Sequence, residues 1–224
     1  MKIFKAAIFD MDGLLLDSEL LALKAFEAGC VQFGLGDQTD LFMRFVGTNA
    51  EKGNAEMKQA LDGIIDVDEF IKTWRGIYAD WIQHNPVPLK VGVKDVLTHL
   101  NSINTPIAVA TSTRTEPAEK KLKMAGIFDH FDFIVGGDQV SHSKPNPDIF
   151  LKAAEILACD PSSCIAFEDS PNGVRSAVAA GMTVVQIPDM IEPDETLLEL
   201  GHIVLDEISD VLTFDFQKHL NPAT

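Results

Sequence analysis

The feature that most restricts the fold of this chain is a short apolar run, Ala6–Phe9, that ends at two carboxylates and a glycine. Four consecutive apolar residues are typical of a strand buried on both faces of a parallel α/β sheet. Asp10 then lies at the carboxyl end of that strand, and Asp12 lies across the turn that Gly13 permits. Two such carboxylates can share a cation, with one attacking an electrophile while the other moves a proton. On its own, the same pattern also ends ordinary strands.

Three further strand-like runs end in residues suited to phosphate chemistry. These residues are Thr111, Ser112 and Thr113 after residues 107–110, Lys144 after residues 133–135, and Glu168 and Asp169 after residues 164–167. If the first strand is central in the sheet, the ends of the runs meet in one crevice. The sequence therefore predicts that the following side chains lie close together: Asp10, Asp12, Thr111, Lys144 and Asp169.

The alternation of apolar runs with helical patterns predicts the architecture. Helix-like segments separate the later runs at about residues 91–100, 117–125, 148–157 and 171–180. This alternation is typical of a doubly wound parallel α/β sheet. Residues 17–86 instead show helical periodicity throughout, for example at Phe26, Cys30 and Phe33. We therefore predict a Rossmann-like core of residues 1–16 and 87–224, with an inserted α-helical cap domain at residues 17–86.

Composition narrows the class of partner. The 224 residues carry a formal net charge of −16 and include only 18 Lys and Arg. Nucleic-acid binding needs clustered cations and is not expected, whereas an anionic substrate needs positive charge placed locally in the site. No apolar stretch approaches the ~20 residues of a membrane span. Three cysteines without metal-ligand spacing, and an amino-terminal apolar run interrupted by acidic residues, favour a cytoplasmic enzyme, which we expect to be a monomer.

Taken in order, the four strand-end motifs resemble those of the haloacid dehalogenase superfamily. They are Asp-x-Asp, a Thr or Ser after the second strand, a Lys before a later helix, and a final acidic pair. Phe-Asp-Met-Asp-Gly-Leu-Leu-Leu-Asp-Ser-Glu at 9–19 and Ser-Lys-Pro-Asn-Pro-Asp-Ile-Phe at 143–150 are similar to the subgroup containing sugar-phosphate phosphatases and β-phosphoglucomutase. The resemblance covers about the whole chain, and it implies a phosphoryl-transfer enzyme that uses Mg²⁺ and a small phosphorylated substrate.

The resemblance also implies roles for the matching residues. Asp10 would be the nucleophile that forms an aspartyl-phosphate, and Asp12 would protonate the leaving alkoxide and later deprotonate the hydrolytic water. The neighbouring negative charge is expected to raise the pKa of Asp12, although a metal opposes that shift. Substrate phosphate would be bound by Thr111, Ser112 and Lys144. The implied Mg²⁺ ligands are Asp10, the backbone carbonyl of Asp12, Asp169 and, directly or indirectly, Glu168.

Substrate choice is expected to reside in the cap, where Glu19, Thr48 and Asn49 are implied to face the substrate. β-Phosphoglucomutase carries a His at the position of Ala22 and a phosphate-binding Arg at the position of Ala50. Without these groups a bisphosphate intermediate is held less well, which favours a phosphatase acting on a sugar or polyol phosphate. A mutase and a non-catalytic regulatory binding module are the alternatives, but the regulatory module would be expected to have lost at least one motif residue.

Overall fold

A computed structural model describes residues 3–46, 48 and 50–220 of the chain. The strands are β1 Ala6–Phe9, β2 Ile107–Ala110, β3 Phe133–Val135, β4 Cys164–Glu168, β5 Thr183–Gln186 and β6 Ile203–Val204. The helices are α1 Ser18–Gln32, α2 Thr39–Met43, α3 Ala50–Leu61, α4 Val67–His84, α5 Val93–Ser102, α6 Thr115–Met124, α7 Asp148–Ile156, α8 Pro171–Ala179, α9 Glu195–Leu198 and α10 Phe216–Leu220.

The predicted doubly wound sheet is confirmed. Within the described residues it has six strands in the order β3-β2-β1-β4-β5-β6, with every neighbouring pair parallel. Alternate side chains of β1 enter different hydrophobic clusters, Ala7 and Phe9 on one side and Ala6 and Ile8 on the other. The continuous apolar run in the sequence therefore arises because helices cover both faces of the sheet.

The helices that cover the sheet, α5 to α8, begin and end within two residues of the predicted segments. The start of α8 is the one that matters most for the site. Ser170 caps this helix, since its hydroxyl accepts a hydrogen bond from the Gly173 N–H at 3.2 Å, and Pro171 occupies the first turn. The cap fixes the start of α8 directly after the short connection from β4, and that connection contains Asp169.

Helices α1 to α4, which lie between β1 and α5 in the sequence, bury Phe26, Phe42, Phe70 and Trp74 in a hydrophobic cluster separate from those of the sheet. The ring of Phe26 is 5.4 Å from the rings of both Phe42 and Phe70. These helices are called the helical layer below. Even α4, with 18 residues, is too polar to cross a lipid bilayer, and no other helix in the described part of the chain is long and apolar enough to do so.

The two chain crossings between the sheet and the helical layer run side by side. The Asp17 N–H donates to the Pro88 carbonyl at 2.8 Å, and the Lys90 N–H donates to the Leu15 carbonyl at 3.1 Å. These backbone bonds lie next to the predicted division of the chain after residues 16 and 86. The division into two domains stays a prediction, with this paired crossing as the place where one part would move against the other.

Candidate active site

The carboxyl ends of the three central strands bring the predicted motif residues together. Asp10 follows β1, Thr111 follows β2, Glu168 ends β4, and Asp169 comes directly after it. These positions are level with one another because Phe9, the last residue of β1, is paired in register with both neighbouring strands. Groups that are far apart in the sequence therefore meet at one edge of the sheet.

Lys144 lies among these carboxylates, although it comes from the loop before α7. Its Nζ is 2.5 Å from Asp10 Oδ1 and 2.5 Å from Glu168 Oε1, and it donates to the Ala110 carbonyl at 3.0 Å. Burial disfavours the charged amine, but the two carboxylates outweigh burial and raise the pKa of Lys144 above its ordinary value. The site therefore contains a fixed positive charge, which an acidic chain needs in order to bind an anion.

Asp10 and Asp169 are buried close together, so that ionising both carboxyl groups is unfavourable. Their exposed fractions are 6% and 8%. Burial raises the pKa of Asp10 to about 7, with Lys144 opposing this shift and Glu168 adding to it. Burial, followed by the charges of Glu168 and Asp10, also raises the pKa of Asp169 above its ordinary value. An additional cation would relieve this repulsion.

The donor set fits a Mg²⁺ ion. One carboxylate oxygen from each of Asp10, Glu168 and Asp169 lies within 4.8 Å of the others, and such hard oxygen atoms are the ligands Mg²⁺ prefers. Gly13 leaves room for this group, because a side chain there would overlap the Asp169 carboxylate. Glu168 is the most fully engaged of the three, since Oε1 accepts from Lys144 and Oε2 accepts from donors of the following turn. Asp10 and Asp169 are thus the carboxylates best able to hold the ion.

The raised carboxyl pKa values predict how metal and pH affect stability. Burial raises the pKa of both Asp10 and Glu19 to about 7. Such groups stabilise the fold fully only below the unfolded pKa of about 4, and this contribution is lost as the pH rises through about 7. Because Mg²⁺ needs ionised ligands, we expect it to raise the Tm of the metal-free protein more at about pH 8 than at about pH 5.

Differential scanning fluorimetry, with chelator or with Mg²⁺, measures this effect. Asp169→Asn should remove most of the Mg²⁺-induced shift, whereas Asp129→Asn, a matched change of an exposed residue, should keep it. An equal Mg²⁺ shift in both variants would place the ion elsewhere.

Asp12 is held by a different cation. Its carboxylate accepts a hydrogen bond from Lys121 Nζ at 2.7 Å and another from the Thr113 hydroxyl at 2.7 Å. The expectation of a raised pKa is wrong: burial does push it upward, but the charge and hydrogen bond of Lys121, with the bond from Thr113, outweigh burial and lower the pKa of Asp12 below its ordinary value. The carboxylate is engaged, which leaves the backbone carbonyl of Asp12 for the predicted metal contact.

The three predicted phosphate ligands line one cavity. Thr111 is buried, and its hydroxyl accepts a hydrogen bond from the Thr113 N–H at 3.1 Å. Ser112 is exposed next to it, and Lys144 lies in the same wall. A hydroxyl, a backbone N–H and an ammonium group are suitable donors to phosphate oxygens. Their role in binding phosphate stays a prediction.

The cavity has a volume of about 700 Å³ and is lined by both the sheet edge and the helical layer. Its walls include Glu19 and Thr48, together with Ala22 and Ala50, whereas Asn49 lies outside the described residues. The Thr48 hydroxyl donates to a backbone carbonyl in the preceding turn at 2.6 Å. Since the volume is in the range of small-molecule sites, the cavity has room for the body of a metabolite besides its phosphate.

Several residues of the cavity wall were not predicted from the sequence, among them Trp74, Arg75, Tyr78 and Lys121. The sequence does indicate that Lys121 faces inward. Ala118 and Leu122 are the buried residues of α6, and Lys121 lies on the same face of this helix. Its Nζ lies 6.0 Å from the ring centre of Tyr78, the single tyrosine of the chain, and so connects α6 with α4. The cavity residues on α4 belong to a row of aromatic residues at helical spacing, and such a row is also typical of a helix packed in a hydrophobic core.

Comparison with known proteins agrees with this geometry. Residues 7–187 match the family model described as haloacid dehalogenase-like hydrolase. The chain is 30% identical over 213 residues to a phosphorylated carbohydrates phosphatase of Thermotoga maritima, covering 93% of this chain and 96% of the relative. It is 32% identical over 188 residues to a fructose-1-phosphate phosphatase of Escherichia coli, covering 82% of this chain and 96% of the relative.

Solved structures show the same relationship. A Thermotoga maritima protein provisionally assigned as a β-phosphoglucomutase has a TM-score of 0.77 at 30% identity, with 93% of this chain and 97% of that chain covered. A hydrolase of this family from Deinococcus radiodurans, solved with bound phosphate and sodium, has a TM-score of 0.80 at 25% identity, with 98% and 96% covered. Both relationships extend across nearly the whole chain, including the helical layer.

Proposed function

The chain belongs to the haloacid dehalogenase-like hydrolases, and from this premise we propose that it is a Mg²⁺-dependent phosphomonoesterase. Its substrate is a small phosphorylated metabolite, a sugar or polyol phosphate, and the reaction passes through an aspartyl-phosphate on Asp10. The observation that carries the proposal is the position of Lys144, 2.5 Å from both Asp10 and Glu168 in the wall of a metabolite-sized cavity. Two relatives named as phosphatases of phosphorylated carbohydrates support the substrate class.

The chemistry follows from the positions of these groups. Asp10 attacks phosphorus, so that a bond forms from its carboxylate oxygen while the bond to the leaving alkoxide breaks. Lys144, with Thr111 and Ser112, binds the phosphoryl oxygens and stabilises their charge. Asp12 takes a proton from the water that attacks the phosphoenzyme and releases phosphate, and it gives that proton to the leaving alkoxide of the next turnover.

A Mg²⁺ ion held by Asp10, Asp169 and the backbone of Asp12 would neutralise charge shared by the phosphoryl group and the carboxylates. Lys121 favours the ionised form of Asp12, which suits proton removal from water. The helical layer lies within the predicted cap of residues 17–86, and it closes the cavity to bulk solvent.

Lys121→Met is therefore expected to slow hydrolysis of the phosphoenzyme. Without Lys121, the Asp12 carboxylate loses a hydrogen bond that positions it, and its raised pKa leaves a smaller fraction ionised to take a proton from water. The value of kcat for p-nitrophenyl phosphate should therefore fall by about tenfold or more. The fraction of protein trapped as phosphoenzyme during turnover should rise. The control is Lys123→Met, which removes an exposed cation from the same helix. An unchanged kcat and phosphoenzyme fraction in Lys121→Met would show that Lys121 has only a structural role.

A β-phosphoglucomutase is the second candidate, because one matched structure carries that provisional assignment. A mutase must hold a bisphosphate and exclude water, and the small side chains of Ala22 and Ala50 in the cavity wall offer no charge for that purpose. Incubation with β-glucose 1-phosphate and glucose 1,6-bisphosphate separates the two. We expect free phosphate, whereas glucose 6-phosphate formed without free phosphate would show a mutase.

The proposal as a whole is tested with p-nitrophenyl phosphate, a generic phosphomonoester. We expect phosphate release that requires Mg²⁺ and is abolished by a chelator. A folded protein that bound phosphorylated metabolites but released no phosphate from any of them would be a non-catalytic regulatory module instead.

A further inference from the structure

The Asp169 carboxylate depends on its backbone for its position. Among the residues that the structure describes, none donates a hydrogen bond to this carboxylate or pairs with its charge. Burial, and then the charges of Glu168 and Asp10, raise the pKa of Asp169, so the ionised side chain is repelled by its neighbours. What keeps this group in the metal site is therefore the main chain that carries it.

Both backbone polar groups of Asp169 are bound by side chains. Its N–H donates to Glu168 Oε2 at 3.1 Å, and its carbonyl accepts from the Gln186 side-chain amide at 3.1 Å. Gln186 is the last residue of β5, where it is paired in register with Glu168 at the end of β4, and it is fully buried. The amide therefore reaches the Asp169 backbone from the neighbouring strand.

A histidine at the next strand extends this row of hydrogen bonds. His202 comes directly before β6, and its Nε2 lies 2.7 Å from Gln186 Oε1. Because the Asp169 carbonyl can only accept, the amide nitrogen of Gln186 must face it, and the amide oxygen then faces His202. His202 Nε2 is therefore the donor. Burial lowers the pKa of this imidazole and so favours the neutral ring that carries its proton there.

We propose that Gln186 and His202 are positioning residues for the metal site. They act through the Asp169 carbonyl, which they hold so that the carboxylate stays beside Asp10 in spite of the repulsion between the two. Neither Gln186 nor His202 is among the residues that line the cavity, so both act from behind the site. This inference rests on the proposed function, because it concerns a Mg²⁺ ligand of that reaction.

Packing alone does not explain the polar pair. A fully buried amide is unfavourable unless its donor and its acceptor are both satisfied, and at Gln186 this takes Asp169 on one side and His202 on the other. An apolar side chain would fill the same space without that requirement. Support of a metal ligand does explain it, since hydrogen bonds to the ligands of a metal typically change its affinity by about 10- to 100-fold.

Gln186→Met tests the inference, because it removes the donor to Asp169 and keeps a long unbranched side chain. Calorimetric titration of Mg²⁺ into the metal-free protein should give a Kd about 10- to 100-fold above that of the parent. With p-nitrophenyl phosphate, the Mg²⁺ concentration for half-maximal activity should rise with it, whereas kcat at saturating Mg²⁺ should stay near that of the parent. The control is Gln139→Met, because Gln139 is an exposed glutamine that also donates to a backbone carbonyl, and it should keep the parent Kd.

Two variants of His202 test the outer part of the row. His202→Phe keeps an aromatic ring but removes the donor to Gln186, so it should weaken Mg²⁺ binding by less than Gln186→Met does. His202→Gln can place an amide nitrogen near the position of Nε2, so it should restore most of the affinity. Thermal unfolding in chelator identifies the variants that are folded at the temperature of the titration, and the His202 variants decide the question if Gln186→Met does not fold.

The outcomes distinguish this inference from the proposed function. A Kd equal to that of the parent in every folded variant would overturn the inference, even if the parent hydrolyses p-nitrophenyl phosphate. Equal weakening in His202→Phe and His202→Gln would overturn the role of His202, because its hydrogen bond would not be the cause. Weakened Mg²⁺ binding in Gln186→Met, together with no hydrolysis of any ester by the parent, would support the inference and overturn the proposed function.

Discussion

Asp10→Asn is expected to lower kcat by about 10⁴- to 10⁶-fold, the scale observed when a catalytic nucleophile is removed. An amide does not attack phosphorus, whereas the shape of the side chain is preserved. The protein should still fold, because Lys144 keeps its ion pair with Glu168. Metal-free Asp10→Asn should even be more stable than the parent above about pH 7, since the costly ionisation of a buried carboxyl group is removed.

Steady-state kinetics with p-nitrophenyl phosphate and thermal unfolding in chelator measure the two effects. Asp129→Asn, the exposed control, should leave both unchanged. Activity of Asp10→Asn within about tenfold of the parent, a loss far below that of a missing nucleophile, would assign the attacking group to another residue.

Lys144→Met is expected to reduce both catalysis and stability. Loss of a preorganised charge at the transferring phosphoryl group should lower kcat by about 10²- to 10³-fold. The change also leaves the Asp10 and Glu168 carboxylates buried without their cation, which should reduce the free energy of unfolding by about 3–5 kcal/mol near neutral pH. Because protonation removes the uncompensated charge, the loss of stability should shrink as the pH is lowered.

Chemical denaturation of the metal-free protein at about pH 5 and about pH 8, with the parent measured alongside, tests this pattern. Lys152→Met is the control, since this residue forms an exposed ion pair with Glu155 on α7. A stability loss of Lys144→Met that is the same at both pH values would mean that buried carboxylate charge is not its cause.

The sheet and its strand ends could be predicted from the sequence for a simple physical reason. A strand covered by helices on both faces must be apolar throughout, so Ala6–Phe9 and the similar runs are visible without an alignment. Once parallel strands are placed side by side, their carboxyl ends must coincide, which brings Asp10 and Asp169 together. Lys144 was found because its loop carries a distinctive motif.

The rest of the site depends on contacts between segments that are distant in the sequence and that no sequence pattern relates to one another. The pKa of Asp12 was predicted in the wrong direction because the sequence shows only its acidic neighbour, Asp10. The cation that lowers this pKa, Lys121, comes from a helix 109 residues away in the sequence. Arg75 and Trp74 could not be found because an aromatic stripe on a helix is usually core. Only the packing of the helical layer shows that, among the residues the structure describes, the indole N–H has no acceptor and the guanidinium has no carboxylate partner.

Trapping of the phosphoenzyme tests the central claim most directly. The protein is quenched during turnover of p-nitrophenyl phosphate with Mg²⁺ and reduced with borohydride, which converts an aspartyl-phosphate to homoserine, and the modified peptide is identified by mass spectrometry. The account predicts modification at Asp10 in the parent protein, and none with chelator or in Asp10→Asn. Phosphate release without modification of Asp10, or modification at another residue, would contradict it.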